Sequence, residues 1–259
     1  MALTKVIGNG LGATQEGAIT FNEGSADVDF RVESNGNANM LFVDGGNNRV
    51  GVGTATPLKS LHIQAGEPDI FLRRTDLTNK AWLLNVQSST GDLNIKSRND
   101  DASASTTSMV IAHNGYVTKP LQPAFMAHPG GTAQNNVANA DVIAFGTERF
   151  DLGGDFASNT FTAPVTGKYH FDINLNFNGF DQDFTYVWMF LNTSNSDYYI
   201  HLIQGNMADD DGYMNFGGSL LVDMDASDTA KVKLQIAGGA AQMDIITQTS
   251  SSFSGYLVA

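Results

Sequence analysis

The run Thr160-Phe-Thr-Ala-Pro-Val-Thr-Gly-Lys-Tyr-His-Phe-Asp-Ile-Asn-Leu-Asn-Phe-Asn178 alternates with a strictness that excludes helix. Tyr169, Phe171, Ile173, Leu175 and Phe177 take every second place, with His170, Asp172, Asn174, Asn176 and Asn178 between them. Successive side chains of an extended chain point to opposite faces, so period two builds one apolar and one polar face. On a helix the same residues would scatter round the axis. Upstream, Pro164 cannot donate to a ladder and Gly167 relaxes the steric limits of a turn, so the strand is entered through a fixed corner. One dry face and one wet face belong to an antiparallel sheet.

The flanking text reads the same way. Strands are expected at 125–127, 141–145, 159–163, 168–178, 185–192, 198–204, 213–224, 230–237, 243–247 and 253–258. Short strands at this spacing, with no convincing helix among them, predict an all-β sandwich of jelly-roll type. Tyr186, Trp188 and Phe190 share one face of their strand. That face is read as core or subunit contact before sugar platform, because large aromatics dominate cores and interfaces alike.

The aromatic series Phe145, Phe156, Phe161, Tyr169 and Phe171, with Asp151, Ala163-Pro164 and Gly167 set among it, is half of a resemblance. The other half is the closing Ser252-Phe253-Ser254-Gly255-Tyr256-Leu257-Val258-Ala259. Together they resemble the C1q domain, the globular head shared by complement-type and tumour-necrosis-factor-like trimers. Pro123-Ala124-Phe125-Met126-Ala127 fits that family's first strand, and the resemblance runs from Leu121 to Ala259. Two departures stand out: the gap from Phe156 to Phe161 is shorter than usual, and Ile173 stands where an aromatic is usual. The resemblance implies a C1q-like jelly roll that trimerises, with Phe161, Tyr169, Phe171, Phe253 and Tyr256 forming core or trimer contacts. It also implies apical loops that sometimes hold calcium.

The first half differs. Residues 1–20 include Gly8-Asn9-Gly10-Leu11-Gly12, but neither a strong strand before it nor an amphipathic helix after it supports a phosphate loop. They are read as a flexible or partner-ordered attachment segment. Residues 21–119 alternate short strands and tight turns, with Phe30-Arg31-Val32-Glu33-Ser34 answered by Leu93-Asn94-Ile95-Lys96-Ser97. Met40-Leu41-Phe42-Val43 is likewise answered by Met109-Val110-Ile111, so two imperfect copies of a small β-unit are expected. Between them, Arg49-Val50-Gly51-Val52-Gly53-Thr54-Ala55-Thr56-Pro57-Leu58-Lys59-Ser60-Leu61-His62-Ile63 resembles a motif common in bacteriophage tail fibres. Units this small cannot bury a sufficient core alone, so they require stacking neighbours or further subunits. Pro120 and Pro123 stiffen the connection that follows, and 120–259 is the head.

Charge separates the halves. Residues 1–119 carry ten Lys/Arg against twelve Asp/Glu, while 120–259 carry four against fifteen, which together give the net −13. So acidic a head argues against nucleic acid, whose affinity rests on cationic neutralisation. Cysteine is absent, so neither disulfides nor thiol chemistry enter. No apolar run is long enough to span a bilayer, and Met1-Ala2-Leu3-Thr4-Lys5 lacks a signal-peptide core, so synthesis in the host cytoplasm without membrane insertion is expected. No Gly-x-Ser-x-Gly elbow or metal-spaced histidine pair points to catalysis.

Asp209, Asp210 and Asp211 form the densest acidic cluster, and Asp181 with Asp183 forms a second, both between strands. Hard cations such as Ca2+ take several carboxylate oxygens, so Asp209, Asp210 and Asp211 are candidate metal ligands, although neither cluster has EF-hand spacing. A solvated acidic turn is the competing reading. Asp181, Asp183, Asp209, Asp210, Asp211, Tyr198 and Tyr199 are the receptor-contact candidates. The whole reads as a non-enzymatic homotrimeric phage fibre in which a β-rich shaft precedes a C1q-like jelly-roll head. Its N-terminus would contact other virion proteins and its head a host-surface glycan or protein. A capsid or head fibre that stabilises the virion, a cellular C1q-like lectin and, last, a hydrolase are the alternatives.

Overall fold

The alternation at 169–177 is realised as a twelve-residue strand, Gly167–Asn178, at the centre of the larger of two facing sheets. The computed structural model describes residues 27–131, 134–178, 183–205, 213–246 and 250–259, and the chain divides into two units, Met1–Thr118 and Lys119–Ala259. Among the described residues every regular element is a strand, and the second unit is a jelly-roll sandwich.

The first unit holds two sheets. β1 (Phe30–Val32), β2 (Leu41–Asp44), β3 (Arg49–Val52) and β4 (Leu61–Ile63) pair in sequence order, as do β5 (Asp69–Arg73), β6 (Ala81–Val86), β7 (Leu93–Arg98), β8 (Ser105–Ile111) and β9 (Val117–Thr118). The two similar stretches of sequence fold alike: β1–β2–β3 and β7–β8–β9 are both antiparallel meanders. The fibre-type motif is the connection that makes β3 and β4 parallel. Gly53 sits there at φ 81°, where a Cβ would collide with the Gln64 carbonyl, so glycine is required. Arg49 Nη1 donates to the Pro57 carbonyl at 2.8 Å and pins the loop.

The described residues of this unit form almost no hydrophobic interior. Among the described residues Ala81 and Leu83 are the hydrophobic side chains it buries, and Thr54, Asn85 and Asn94 share the buried positions. Thirteen large apolar residues among those described stay exposed, including Leu58 at 68%, Leu72 at 56% and Tyr116 at 73%.

The second unit is the opposite. Its strands are β10 (Ala124–His128), β11 (Gln134–Ala138), β12 (Thr147–Asp151), β13 (Phe156–Ala157), β14 (Thr160–Thr162), β15 (Gly167–Asn178), β16 (Phe184–Thr193), β17 (Asp197–Gln204), β18 (Tyr213–Met224), β19 (Thr229–Gly238), β20 (Gln242–Ile245) and β21 (Ser252–Leu257). One sheet runs β11-β20-β15-β21-β10-β12, with β18 on the other edge of β15 along its full length. The facing sheet runs β13-β14-β19-β16-β17. Tyr169, Phe171, Ile173, Leu175 and Phe177 of β15 are all at most 2% exposed. Burying five such side chains contributes on the order of 10 kcal/mol, as much as the net stability of an ordinary domain. Phe125 stacks on Phe156 at 4.6 Å and on Phe161 at 5.0 Å, and meets Phe253 edge-on at 5.0 Å.

The short gap between Phe156 and Phe161 closes as a two-residue hairpin. Phe156 pairs with Phe161, and Ser158 and Asn159 turn at φ 50° and 64°. Both signs fit a type I′ turn, whose twist matches the flanking strands.

One expectation is corrected, and two that allowed either core or subunit contact lose their core half. Residues 141–145 form no strand, only a single bridge from Val142 to Lys233. The Ile143 N–H reaches the Val232 carbonyl at 3.0 Å, but side chains claim the next two amides: Gln134 Oε1 accepts from the Ala144 N–H at 2.7 Å, and Asn159 Oδ1 from the Phe145 N–H at 2.7 Å. Tyr256 lies outside the core at 46% exposure, because Gly255 takes the inward position between Phe125 and Phe171. Phe161, Tyr169, Phe171 and Phe253 are each fully buried. Finally, Tyr186, Trp188 and Phe190 are not the core face of β16, which is Val187, Met189 and Leu191.

Candidate ligand-binding surface

The outward face of β16, β17 and β19 follows from their register. β16 alternates Val187, Met189 and Leu191 inward with Tyr186, Trp188, Phe190 and Asn192 outward. β19 alternates Ala230, Val232, Leu234 and Ile236 inward with Lys231, Lys233, Gln235 and Ala237 outward. A register shift between Met189 and Phe190 re-aims β17, so that Tyr199, Leu202 and Gln204 are exposed. Cα pairing sets these in cross-strand rows: Lys231 with Asn192 and Asp197, Lys233 with Phe190 and Tyr199, Gln235 with Trp188 and Leu202.

The rings form one cluster. Tyr199 stacks on Phe190 at 5.1 Å and meets Trp188 edge-on at 5.3 Å. That stacking leaves Phe190 only 6% exposed, while Tyr199 keeps half its surface in solvent. Gln235 Nε2 donates to the Tyr186 hydroxyl at 3.3 Å, and Asn192 Nδ2 donates to Asp197 Oδ1 at 2.5 Å. Among the described residues Lys231 and Lys233 have no ion-pair partner and donate no side-chain hydrogen bond, although they are two of the four cations in the acidic head.

Of the residues singled out from sequence, Asp181, Asp209, Asp210 and Asp211 lie outside the described residues. Asp183 is exposed immediately before β16, about 23 Å along that strand from Phe190 at roughly 3.3 Å per residue. Tyr198 and Tyr199 point to opposite faces: Tyr198 packs against the core, Tyr199 joins the outward cluster. Asp183 and Tyr199 therefore do not form one site. Among the described residues no group of three or more His, Asp or Glu could hold a metal ion. Lys231, Lys233 and Gln235 escaped the sequence reading, although their alternation with Val232, Leu234 and Ile236 carried the signal.

A separate acidic turn is tied up structurally. Asp228 accepts from the Asp225 N–H at 2.8 Å, from Ser194 Oγ at 2.8 Å and from Asn195 Nδ2 at 2.6 Å, which clips the β16–β17 turn to the β18–β19 turn. The Asp225 amide first, then the Ser194 side chain, hold the Asp228 carboxyl below the usual carboxylate range.

On the other sheet, the outward row is Leu221, His170 and Tyr256 across β18, β15 and β21, beside Asp172, Met126 and Phe150. Leu221 is 56% exposed and Phe150 and Tyr256 46% each. His170 Nδ1 lies 3.4 Å from Asp172 Oδ2, and its ring leans on Tyr256 at 5.2 Å.

The family described as the C1q domain matches residues 124–258. Among solved structures, the "Globular Domain of Zebrafish Complement 1qA protein" is similar at 14% identity and TM-score 0.41, covering 53% of this chain and 98% of that one. Murine APRIL is similar at 8% identity and TM-score 0.40, covering 53% of this chain and 99% of that one. No curated protein matches the chain.

Proposed function

This chain belongs to the C1q domain family through its second unit, and from that premise we propose that it is a homotrimeric adhesive fibre protein whose head binds a receptor on a host-cell surface. The observation that carries the reading is how little the described residues of the first unit bury. A strand-rich unit that buries Ala81 and Leu83 and leaves thirteen large apolar residues in water is unfinished as a single copy. Copies of the same unit, gathered by a self-associating head, supply the missing surface at high effective concentration. In the head, copies meet through Phe150, Leu221 and Tyr256, which leaves the β16–β17–β19 face for a ligand. Three linked heads then add weak contacts into firm adhesion.

The setting we propose is a bacteriophage virion, on the strength of the Arg49–Ile63 motif, with the N-terminal segment held by other virion proteins. The role is binding, not catalysis. Light scattering of the full chain tests the assembly: three times 27.7 kDa is expected, and a monomer at micromolar concentration sinks the proposal. Adsorption of the labelled full chain to a panel of bacterial strains tests the adhesive role. Binding to a subset is expected, and binding to none would remove it.

A further inference from the structure

We propose that the outward face of β16, β17 and β19 is a binding site for an anionic saccharide, with Tyr199 and Trp188 taking the sugar's apolar face and Lys231 and Lys233 its acidic groups. This rests on the receptor-binding reading above and names the ligand class. A pyranose has a C–H face and a hydroxyl rim, so it needs an exposed ring beside polar side chains. Tyr199 offers such a ring, half in solvent and fixed by its contacts with Phe190 and Trp188. Gln235 and Asn192 stand in the rows on either side of it as hydroxyl partners.

The lysines decide the charge of the ligand. In a head with fifteen acids and four bases, two of the bases stand one pleat apart on this face. Neither has an acidic partner among the described residues, and Asp197, the one acid in these rows, is bonded to Asn192. The remaining negative charge of the head is screened beyond about 8 Å at physiological salt, so a ligand docked here feels the lysines first.

Size decides against a second copy as the occupant. The rows from Lys231 to Gln235 span about 13 Å, and three strands about 10 Å across. The nine residues of these rows are less than half of the roughly 20–30 that one side of a stable protein interface uses. That is the footprint of a short oligosaccharide.

The test uses the full chain against three probes: polysialic acid, heparin and neutral dextran, by calorimetry. Binding to at least one of the anionic probes and none to dextran is expected. The double variant Lys231→Gln, Lys233→Gln should lose at least tenfold in affinity. Tyr199→Ala should lose as much while the salt dependence stays as in wild type. Both lysines are partly exposed, so the lysine variant should melt as wild type, while Tyr199→Ala gives up its ring contacts with Phe190 and Trp188 and should melt somewhat lower yet still cooperatively. Failure to bind either anionic probe overturns the proposal. So does binding that Tyr199→Ala leaves unchanged, which is plain charge attraction, or a drop in assembly mass in the lysine variant, which places a second copy there. Cell adsorption keeps the two readings apart. If wild type and the lysine variant adhere equally, the site falls and adhesion stands; if wild type binds polysialic acid or heparin as described but adheres to no cell, the site stands and adhesion falls.

Discussion

Asp155 and Asp228 pull the acid stability of the head in opposite directions. Burial first, then the Asp151 charge, pushes the Asp155 carboxyl up. A folded-state value above the unfolded one means the fold prefers the protonated acid. Asp155 thus weakens the fold at neutral pH, and this penalty is relieved as pH falls through the folded value towards the unfolded one. Asp155→Asn should raise the melting temperature at pH 7, with the gain disappearing on acidification. Asp228 is held low, so its contribution is present above the unfolded value and is lost as pH falls through the folded one. Asp228→Asn should lower the melting temperature at pH 7 and converge with wild type in acid. Melting curves of both variants from pH 7 down to pH 3 check the pair; shifts of the same sign would contradict these assignments. Tyr169 adds a third case. Its buried hydroxyl donates to the Val165 carbonyl at 2.7 Å, so Tyr169→Phe should cost about 1 kcal/mol in urea unfolding with an unchanged slope.

At the scale of the strand, what was legible depended on whether the two alternating sets differed in polarity. β15 did: aromatics and aliphatics on the even beat, His, Asp and Asn on the other, so strand and face were both readable. In Tyr186-Val187-Trp188-Met189-Phe190-Leu191 both sets are apolar, so the period announced a strand without saying which face was dry. Residues 141–145 failed differently, because the amides of Ala144 and Phe145 are taken by the side chains of Gln134 and Asn159, which lie outside the stretch and are invisible to a local pattern. The binding face shared that defect: its cations sit on β19 and its rings on β16 and β17, joined only by register. Gly255 shows what register demands. A Cβ there would stand 2.5 Å from Phe171 Cδ1 and 3.0 Å from Phe125 Cε1, both in rings with no free space to yield. Gly255→Ala should therefore destabilise the head by about 1–3 kcal/mol, the usual range for overpacking. A denaturation midpoint equal to wild type would mean that the β10–β21–β15 register is wrong.

At the scale of the whole molecule, the contrast between the units yields the last prediction. Leu72 is 56% exposed and Ile70 43% on a single copy, both on β5. Were the first unit complete in itself, Leu72→Asp would be a surface change within about 0.5 kcal/mol of neutral. In an assembly where other copies cover β5, the same substitution buries an unpaired carboxylate, which costs several kcal/mol. Association also makes melting depend on protein concentration, since mass action favours whatever binds only the folded form. The wild-type chain should accordingly melt at a higher temperature when concentrated tenfold. Leu72→Asp should lower the first unit's transition while the head, whose core lies within one chain, keeps its own spectroscopic signal. Scanning calorimetry at two concentrations reads both effects together. Concentration-independent melting with a silent Leu72→Asp would show a first unit that stands on its own, and the case for copies completing one another would end there.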